Sequence, residues 1–556
     1  MHARNRTWLL GSDPVERCRQ RTMNVEGGDG STLSLDFTTG VLDPRLTLTR
    51  STNATFINSR GYVQFADANM FVNSAWTDAN NTPAGWTLGT GTGSVSRSNE
   101  TRTLTCAAQQ YWWYQQPASR SGLTYSVSVE VTAVSGTILY GDIILAGSST
   151  YIAWYKDGVL QAGGTSTTVT TGVITLIFTA NSDNTILRLG LGSAGTNVTG
   201  SVTLRYPQFQ QGQVSLRSYY ENTSTSVARF NSARFDYDPT TLAPRGLLIE
   251  ESAANYANYS NALYGTGWNS GGTPTITPAG GAVAPDGVST STRFVFPPVA
   301  GGNPSRTYFL TTYPAGSYPY TVSVWMKSNT AQNYNISILG NTTTNNTVTP
   351  VWQRFQVTAT AAAPLYGYVY ISNESTTVTT DISMWGVQLE AGNGASSYIP
   401  SGASQGSRAA DSCVMTGTNF SSWFNESEGT FIAQFQTQHQ GNTSSAAYLL
   451  ALDSSASKRL IYLNTSLDTA STFDGTLVIS AVGDVTGVLA KVASAYNSSE
   501  RAIVANGGAV ATGSVAVGYS SATSLGIGLL ASNSTFKQIK FFPTRLSNSQ
   551  LQVLTA

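Results

Sequence analysis

Four carboxylates crowd one short stretch, RFDYDPTTLAPRGLLIEE at residues 234–251: Asp236, Asp238, Glu250 and Glu251. The whole chain has 30 acidic residues in 556, so this density singles the stretch out. Paired carboxylates can move protons across a cleft, as in glycoside hydrolysis, or hold a hard cation. A calcium loop draws oxygens from a longer D-x-D-x-D-G-like run, and D-x-D alone is thin for that purpose. An Asp before Pro, as at Asp238-Pro239, favours an extended residue entering a turn, and Asp side chains bond their own backbone. Pro244-Arg245-Gly246 is a second turn signal, and Leu247–Ile249 then reads as a short buried strand. A structural clasp is favoured over a metal site, and a metal site over catalysis.

Other chemistry is scarce. Glu426-Ser-Glu428 has the wrong spacing and position for a glycosidase strand and reads as a turn. Two histidines, His2 and His439, support no Ser–His–Asp triad. Cys18, Cys106 and Cys413 lie far apart with no zinc spacing, and an odd count argues against a disulfide-built scaffold. No phosphate-cradling glycine loop is present. No catalytic residue and no metal ligand is assigned, no cofactor is implied, and calcium finds no support.

Aromatic residues are the better lead. Tyr111-Trp112-Trp113-Tyr114 is the densest aromatic run, and on a strand Tyr111 and Trp113 face one way while Trp112 and Tyr114 face the other. Flat rings can stack on the apolar faces of sugars. Counting back from a shared Tyr-x-Val-x-Val strand places Tyr308 where Trp113 stands. Trp154, beside Tyr155, is a similar candidate. Tyr111, Trp113, Trp154 and Tyr308 are thus the candidate carbohydrate-binding residues, with core packing as the competing reading. Trp86, Trp268 and Trp352 are assigned to the core.

These side chains need a scaffold, and the pattern says it is all-β. TYSVSVEV (124–131), YTVSVWMK (320–327) and GTFIAQFQTQ (429–438) alternate with period two, as half-buried strands do. Asn506-Gly507 sits at the centre of a hairpin. The one convincing helix is the last, where Ser547 and Gln550 fit a capping box and Leu551 and Leu554 follow on one face. At 556 residues the chain exceeds one core, and only 11% of it is charged. Thirty basic residues balance thirty acidic ones, leaving no net field for a polyanion, so nucleic acid is not an expected partner. No apolar run reaches the length of a membrane span, and the N-terminus turns polar and basic too soon for a secretory signal.

The chain also repeats itself. Asn69-Met-Phe-Val-Asn-Ser74 resembles Asn255-Tyr-Ala-Asn-Tyr-Ser260, and Gly85-Trp86 resembles Gly267-Trp268. Tyr125–Val129 matches Tyr320–Val324, and Phe178-Thr-Ala180 matches Val357-Thr-Ala359. Pro207–Gly212 then matches Val387–Gly392, and Tyr219 with Arg229 matches Tyr398 with Arg408. Six matches in one order indicate a duplicated β-module.

LDFTTGVLDPRLTLTR (35–50), RFDYDPTTLAPRGLLIEES (234–252), WQRFQVTAT (352–360) and VQLEAGNGASSYIP (387–400) together resemble phrases of tailed-bacteriophage virion proteins that carry carbohydrate-binding-module-like sandwiches. The ending FFPTRLSNSQLQVL resembles concanavalin A-like (laminin-G-like) lectin domains. The resemblance implies tandem β-sandwich (jelly-roll) domains with one short C-terminal helix. It implies a docking arm at 1–30, opening strands at 31–66, a first module at 67–214, a clasp at 215–251, a second module at 252–411 and a lectin sandwich at 412–556.

The function it implies is a non-enzymatic fibre, spike or decoration protein on the virion surface, assembled in the host cytoplasm. Its partners would be other virion proteins through the N-terminal region and host or environmental glycans, as a homo-oligomer, by family habit a trimer, with no membrane insertion. A purely structural capsid or tail protein and, behind it, a glycan depolymerase are the alternatives. In the family the opening strands lie close in sequence to the RFDYDP run. Here a module separates them, so residues 33–66 are expected to pack near 229–250.

Overall fold

The computed structural model describes residues 29–89, 92–212, 219–298, 305–311, 319–338, 342–360, 367–373, 377–440, 447–453, 458–464, 469–515, 519, 521–529 and 532–556. The docking arm, apart from Asp29 and Gly30, and Cys18 therefore lie outside the described residues. The chain is all-β with sandwich-like sheets, and among the described residues only the last helix, Asn548–Thr555, exceeds one turn. Its capping box is as expected, Ser547 accepting from Gln550 N. Leu551 is buried but Leu554 is exposed, because the inward pair is Leu551 and Thr555, four residues apart.

Two compact units divide the chain, one of residues 65–232 with 401–404, the other of the remaining described residues. In the second unit the C-terminal sandwich has a sheet of eight strands and a sheet of seven. Both take strands from far upstream. Leu33–Asp36 pairs antiparallel with Ser532–Phe542, Leu33 opposite Phe541. Pro244–Ile249 pairs with the same strand, Leu247 opposite Phe536. Leu46–Thr49 pairs with Ser412–Thr416, Leu48 opposite Cys413. Apolar alternation explains this: Leu33, Leu35, Leu46, Leu48, Leu247 and Ile249 all enter one core with Phe431 and Phe541. A sandwich of residues 412–556 alone would lack these side chains, so the opening and clasp segments are sheet strands and not linkers. At Gly246, φ is +99° and a Cβ would lie 1.9 Å from the Phe536 carbonyl, so the strand reaches its neighbour only with glycine there.

Each module is an excursion from this discontinuous sandwich that leaves and returns through adjacent backbone. In the first, Asn69 and Arg229 exchange backbone hydrogen bonds of 2.9 and 3.0 Å. In the second, Ala253–Asn255 pairs with Gly406–Arg408, and Asp411 N donates to Glu250 O. The second module packs two five-stranded sheets face to face.

The duplication is visible bond by bond. Asn69 donates to Pro207 O and Tyr220 O and accepts from Phe71 N and Phe209 N. Asn255 donates to Val387 O and Ile399 O and accepts from Ala257 N and Leu389 N. Each buried amide is thus fully satisfied, with two donors and two acceptor sites that only a primary amide of this length combines here. Ser74 and Tyr219 share a hydrogen bond of 2.8 Å, and Ser260 and Tyr398 one of 2.6 Å. A register shift with a left-handed residue recurs at Tyr206 (φ 56°) and Gly386 (φ 67°).

Strand pairing corrects two of the six sequence matches by two residues. With Tyr125 equivalent to Tyr320, Val357 corresponds to Leu176 rather than Phe178. The residue paired with Asn255 is Gly406, so Arg229 corresponds to Gly406 rather than Arg408.

Candidate functional site: a cleft above a buried clasp

The acidic stretch builds two different things. Its inner carboxylates belong to a buried ion network in the second unit. Arg234, with no exposed side-chain surface, bonds Glu250, Asp411, Thr55 O at 2.9 Å and Ser397 Oγ at 3.1 Å. Arg50 holds Asp411 Oδ1 at 2.9 Å. Arg408 lies 3.3 Å from Glu250 Oε2 and donates to Glu251 O at 2.7 Å. Burial works to raise the Glu250 pKa, but Arg408, Arg234 and two hydrogen bonds from Ser397 outweigh it and hold it at about 2. Arg50, Arg234, Glu250 and Ser397 come from the phrases at 35–50, 234–252 and 387–400, while Arg408 and Asp411 follow the last of these. The expectation that residues 33–66 pack near 229–250 holds here, since Thr55 and Ile57 meet Arg234 and Asp236.

The outer carboxylates line a cleft of 410 Å3. Asp236, on strand Phe235–Tyr237, accepts from Ile57 N at 2.7 Å, and burial pushes its carboxyl up to about 6. Asp238 caps the following turn, accepting from Thr240 N and Thr241 N at 2.9 and 2.8 Å. Burial opposes its charge, but these amides and Arg245 hold it at about 2. Arg245 reaches both acids, 2.8 Å from Asp238 and 3.5 Å from Asp236.

The opposite wall comes from the second module. Trp352 is half-buried, its indole N–H fixed on Val283 O at 2.8 Å, and it borders the cleft while packing against the apolar cluster of Trp325, Trp385 and Tyr398. Arg354, Gln356 and Trp325 continue the wall, with Ser396 and Tyr398 at its base. Trp325 and Trp385 are opposed across neighbouring strands, and both join Val63, Ala284 and Tyr398 in a small apolar cluster. In the first module the equivalent opposed pair is Glu130 and Arg205, joined by bidentate hydrogen bonds of 2.7 and 2.8 Å. The two copies have therefore diverged at this face, one to an ion pair and one to a pair of buried indoles.

The sequence-based sugar candidates lie elsewhere. Trp113 has no exposed surface and packs edge-on against Trp76 at 5.5 Å, with Tyr111 beside it in the first module's core. Trp154 is 2% exposed and packs on Tyr140. These rings offer no face to a ligand, because the Tyr111–Trp113 side of the strand is the inner one. The outer side carries Trp112 and Tyr114, with the Arg188 guanidinium 4.4 Å from the Trp112 ring. Tyr308 is half-buried, and its register also differs from the expectation. Thr87, after Trp86, is opposite Tyr114, and Asn269, after Trp268, is opposite Tyr308, so Tyr308 corresponds to Tyr114. A one-residue slip moves a side chain to the other face.

Trp352, placed in the core from sequence, does pack against the buried apolar cluster of Trp325, Trp385 and Tyr398; its second place, on the cleft wall, is what the sequence reading missed. The available signal was its spacing with Arg354 and Gln356, an aromatic and two polar groups on alternate positions.

No protein-family model matches the sequence, and no curated protein sequence does. Among solved structures, the N-terminal CBM22-1–CBM22-2 tandem domain of Xyn10C from Paenibacillus barcinonensis is 10% identical. That alignment covers 59% of this chain and 98% of that one at a TM-score of 0.21. The ANXUR2 extracellular domain from Arabidopsis thaliana is 7% identical, covering 62% and 89% respectively at 0.17. TM-scores this low carry no argument about ligand or role. What stands is a chain of β-sandwiches with an aromatic and carboxylate-lined cleft beside its clasp.

Proposed function

We propose that the chain is a non-enzymatic glycan-binding protein, and that the cleft beside Trp352 is where a saccharide docks. The observation that carries this reading is the pairing of a pinned, half-buried indole with an ionised carboxylate on the lining of one 410 Å3 cleft. An apolar sugar face can stack on the ring while hydroxyls bond Asp238 and Gln356. Its resemblance to tailed-phage appendage proteins supports a place on the virion surface. There, attachment through residues 1–30 and several copies per particle would turn weak contacts into avidity. A trimer is proposed on the same resemblance.

Glycan-array and calorimetric binding of Trp352→Ala, compared with wild type and Trp112→Ala, tests the site. Trp352→Ala should lose binding at least about tenfold while keeping its thermal transition within a few degrees. Undiminished binding by Trp352→Ala overturns the assignment. A purely structural role in a capsid or tail is the second reading. It is favoured by one observation: most of the shared phrases map onto the buried clasp.

A further inference from the structure

The cleft wall presents the carboxylates of Asp236, Asp238 and Glu250 and the guanidinium groups of Arg245 and Arg354. Both cations are already engaged. Arg245 is held between Asp236 and Asp238. Arg354 commits its terminal nitrogens to Ser396 O at 2.6 Å and Ser323 Oγ at 2.9 Å. Glu250 is turned inward to Arg234, Arg408 and Ser397. Asp238 is the charge at the mouth, with its side chain 31% exposed. Its Oδ1 is filled by two backbone amides, while Oδ2 takes one bond from Arg245 and keeps a lone pair. Within the wall, the buried Trp325 Nε1–H and Arg354 Nε–H have no acceptor.

A hydroxyl suits the open lone pair of Asp238, because it donates to a carboxylate, while the two unpaired N–H groups lie beneath the accessible surface. A carboxylate on the ligand cannot donate to Asp238 and is repelled by it, and Arg245, the cation bound to Asp238, is already shared with Asp236. Resting on the glycan reading above, we infer that the cleft selects uncharged saccharides with a hydroxyl facing Asp238, and rejects uronate-bearing and sialylated ones.

The test is calorimetric binding of the full chain to glucose-, galactose- and mannose-terminated oligosaccharides and to their 6-carboxylate counterparts, for wild type and Asp238→Asn. Asparagine retains the oxygen that caps Thr240 and Thr241, so the turn survives, and an unchanged thermal transition verifies it. Uronates should bind at least about tenfold more weakly than their neutral partners, and Asp238→Asn should narrow that gap to about threefold or less. Uronates binding as well as neutral sugars, or a gap that ignores Asp238→Asn, overturns the selectivity. Binding by neither set overturns the glycan reading itself, so the two failures are distinct.

Discussion

Replacing Arg234 with methionine keeps the side-chain volume and removes one guanidinium from a site with no exposed surface. Glu250 would then face Arg408 alone, Asp411 would face Arg50 alone, and Thr55 O would lose its 2.9 Å donor. Breaking a buried ion pair by deleting one partner costs about 3–5 kcal/mol, because the remaining charge stays desolvated. At roughly 2–4 °C per kcal/mol, the transition of the second unit should fall by roughly 6–20 °C. Differential scanning calorimetry is the assay, and the first module is the internal reference, since its core contains no residue of this network. Its transition should stay in place. Arg234→Lys should fall between, keeping the charge but losing the planar fork that serves Glu250 and Asp411 together. A shift under about 2 °C for Arg234→Met would mean that desolvation and attraction cancel in the network, and would refute its role as the clasp.

Asp236 predicts a pH dependence. Its pKa rises from 3.8 to about 6 on burial, so its contribution to stability is full below about pH 4 and is lost as pH climbs through about 6. Glu250 and Asp238, both held near 2, act oppositely, stabilising above about pH 4 and failing as pH falls through 2. Urea midpoints of the second unit should therefore rise on acidification from pH 7 to 5, and Asp236→Asn should flatten that slope; parallel profiles would refute it. Trp113→Ala should lower the first module's transition through about 3–5 kcal/mol of lost core packing. A stable Trp113→Ala protein with weakened sugar binding would restore the expectation that this ring is a ligand contact.

Much of the architecture could be read from residues whose replacement would leave several buried hydrogen bonds unmade. Asn69 and Asn255 each satisfy four bonds inside a closed pocket, so their neighbourhood repeats in sequence as it does in space. The clasp was legible in part: Asp238-Pro239 fixes a turn locally, but Pro244-Arg245-Gly246, expected as a second turn, instead begins the strand Pro244–Ile249, where glycine permits the close approach to Phe536. The cleft was not. Whether Trp352 is core or wall depends on what covers its sheet, and that cover is Thr55–Ile57 and Val63, supplied from about 300 positions away. Tyr308 failed for a smaller reason, since counting back from one strand across a loop carries no register, and one residue reverses the face.

The interrupted sandwich sets an order of events during synthesis. Leu33–Asp36 cannot find its partner until Ser532–Phe542 has been made, so an early strand waits for one about 500 residues later. Both modules can fold in the interval, each closing on itself where Asn69 meets Arg229 and where Asn255 meets Gly406. Each closure turns a long floppy loop into a short rigid one before the sandwich assembles. By the logarithmic loop law, an unstructured excursion of about 160 residues would cost about 4.5 kcal/mol or more to close. The modules would thus act as internal scaffolds for nucleation, carrying the distant strands to within reach of each other, and their loss would slow assembly even in a variant whose final sandwich is unchanged.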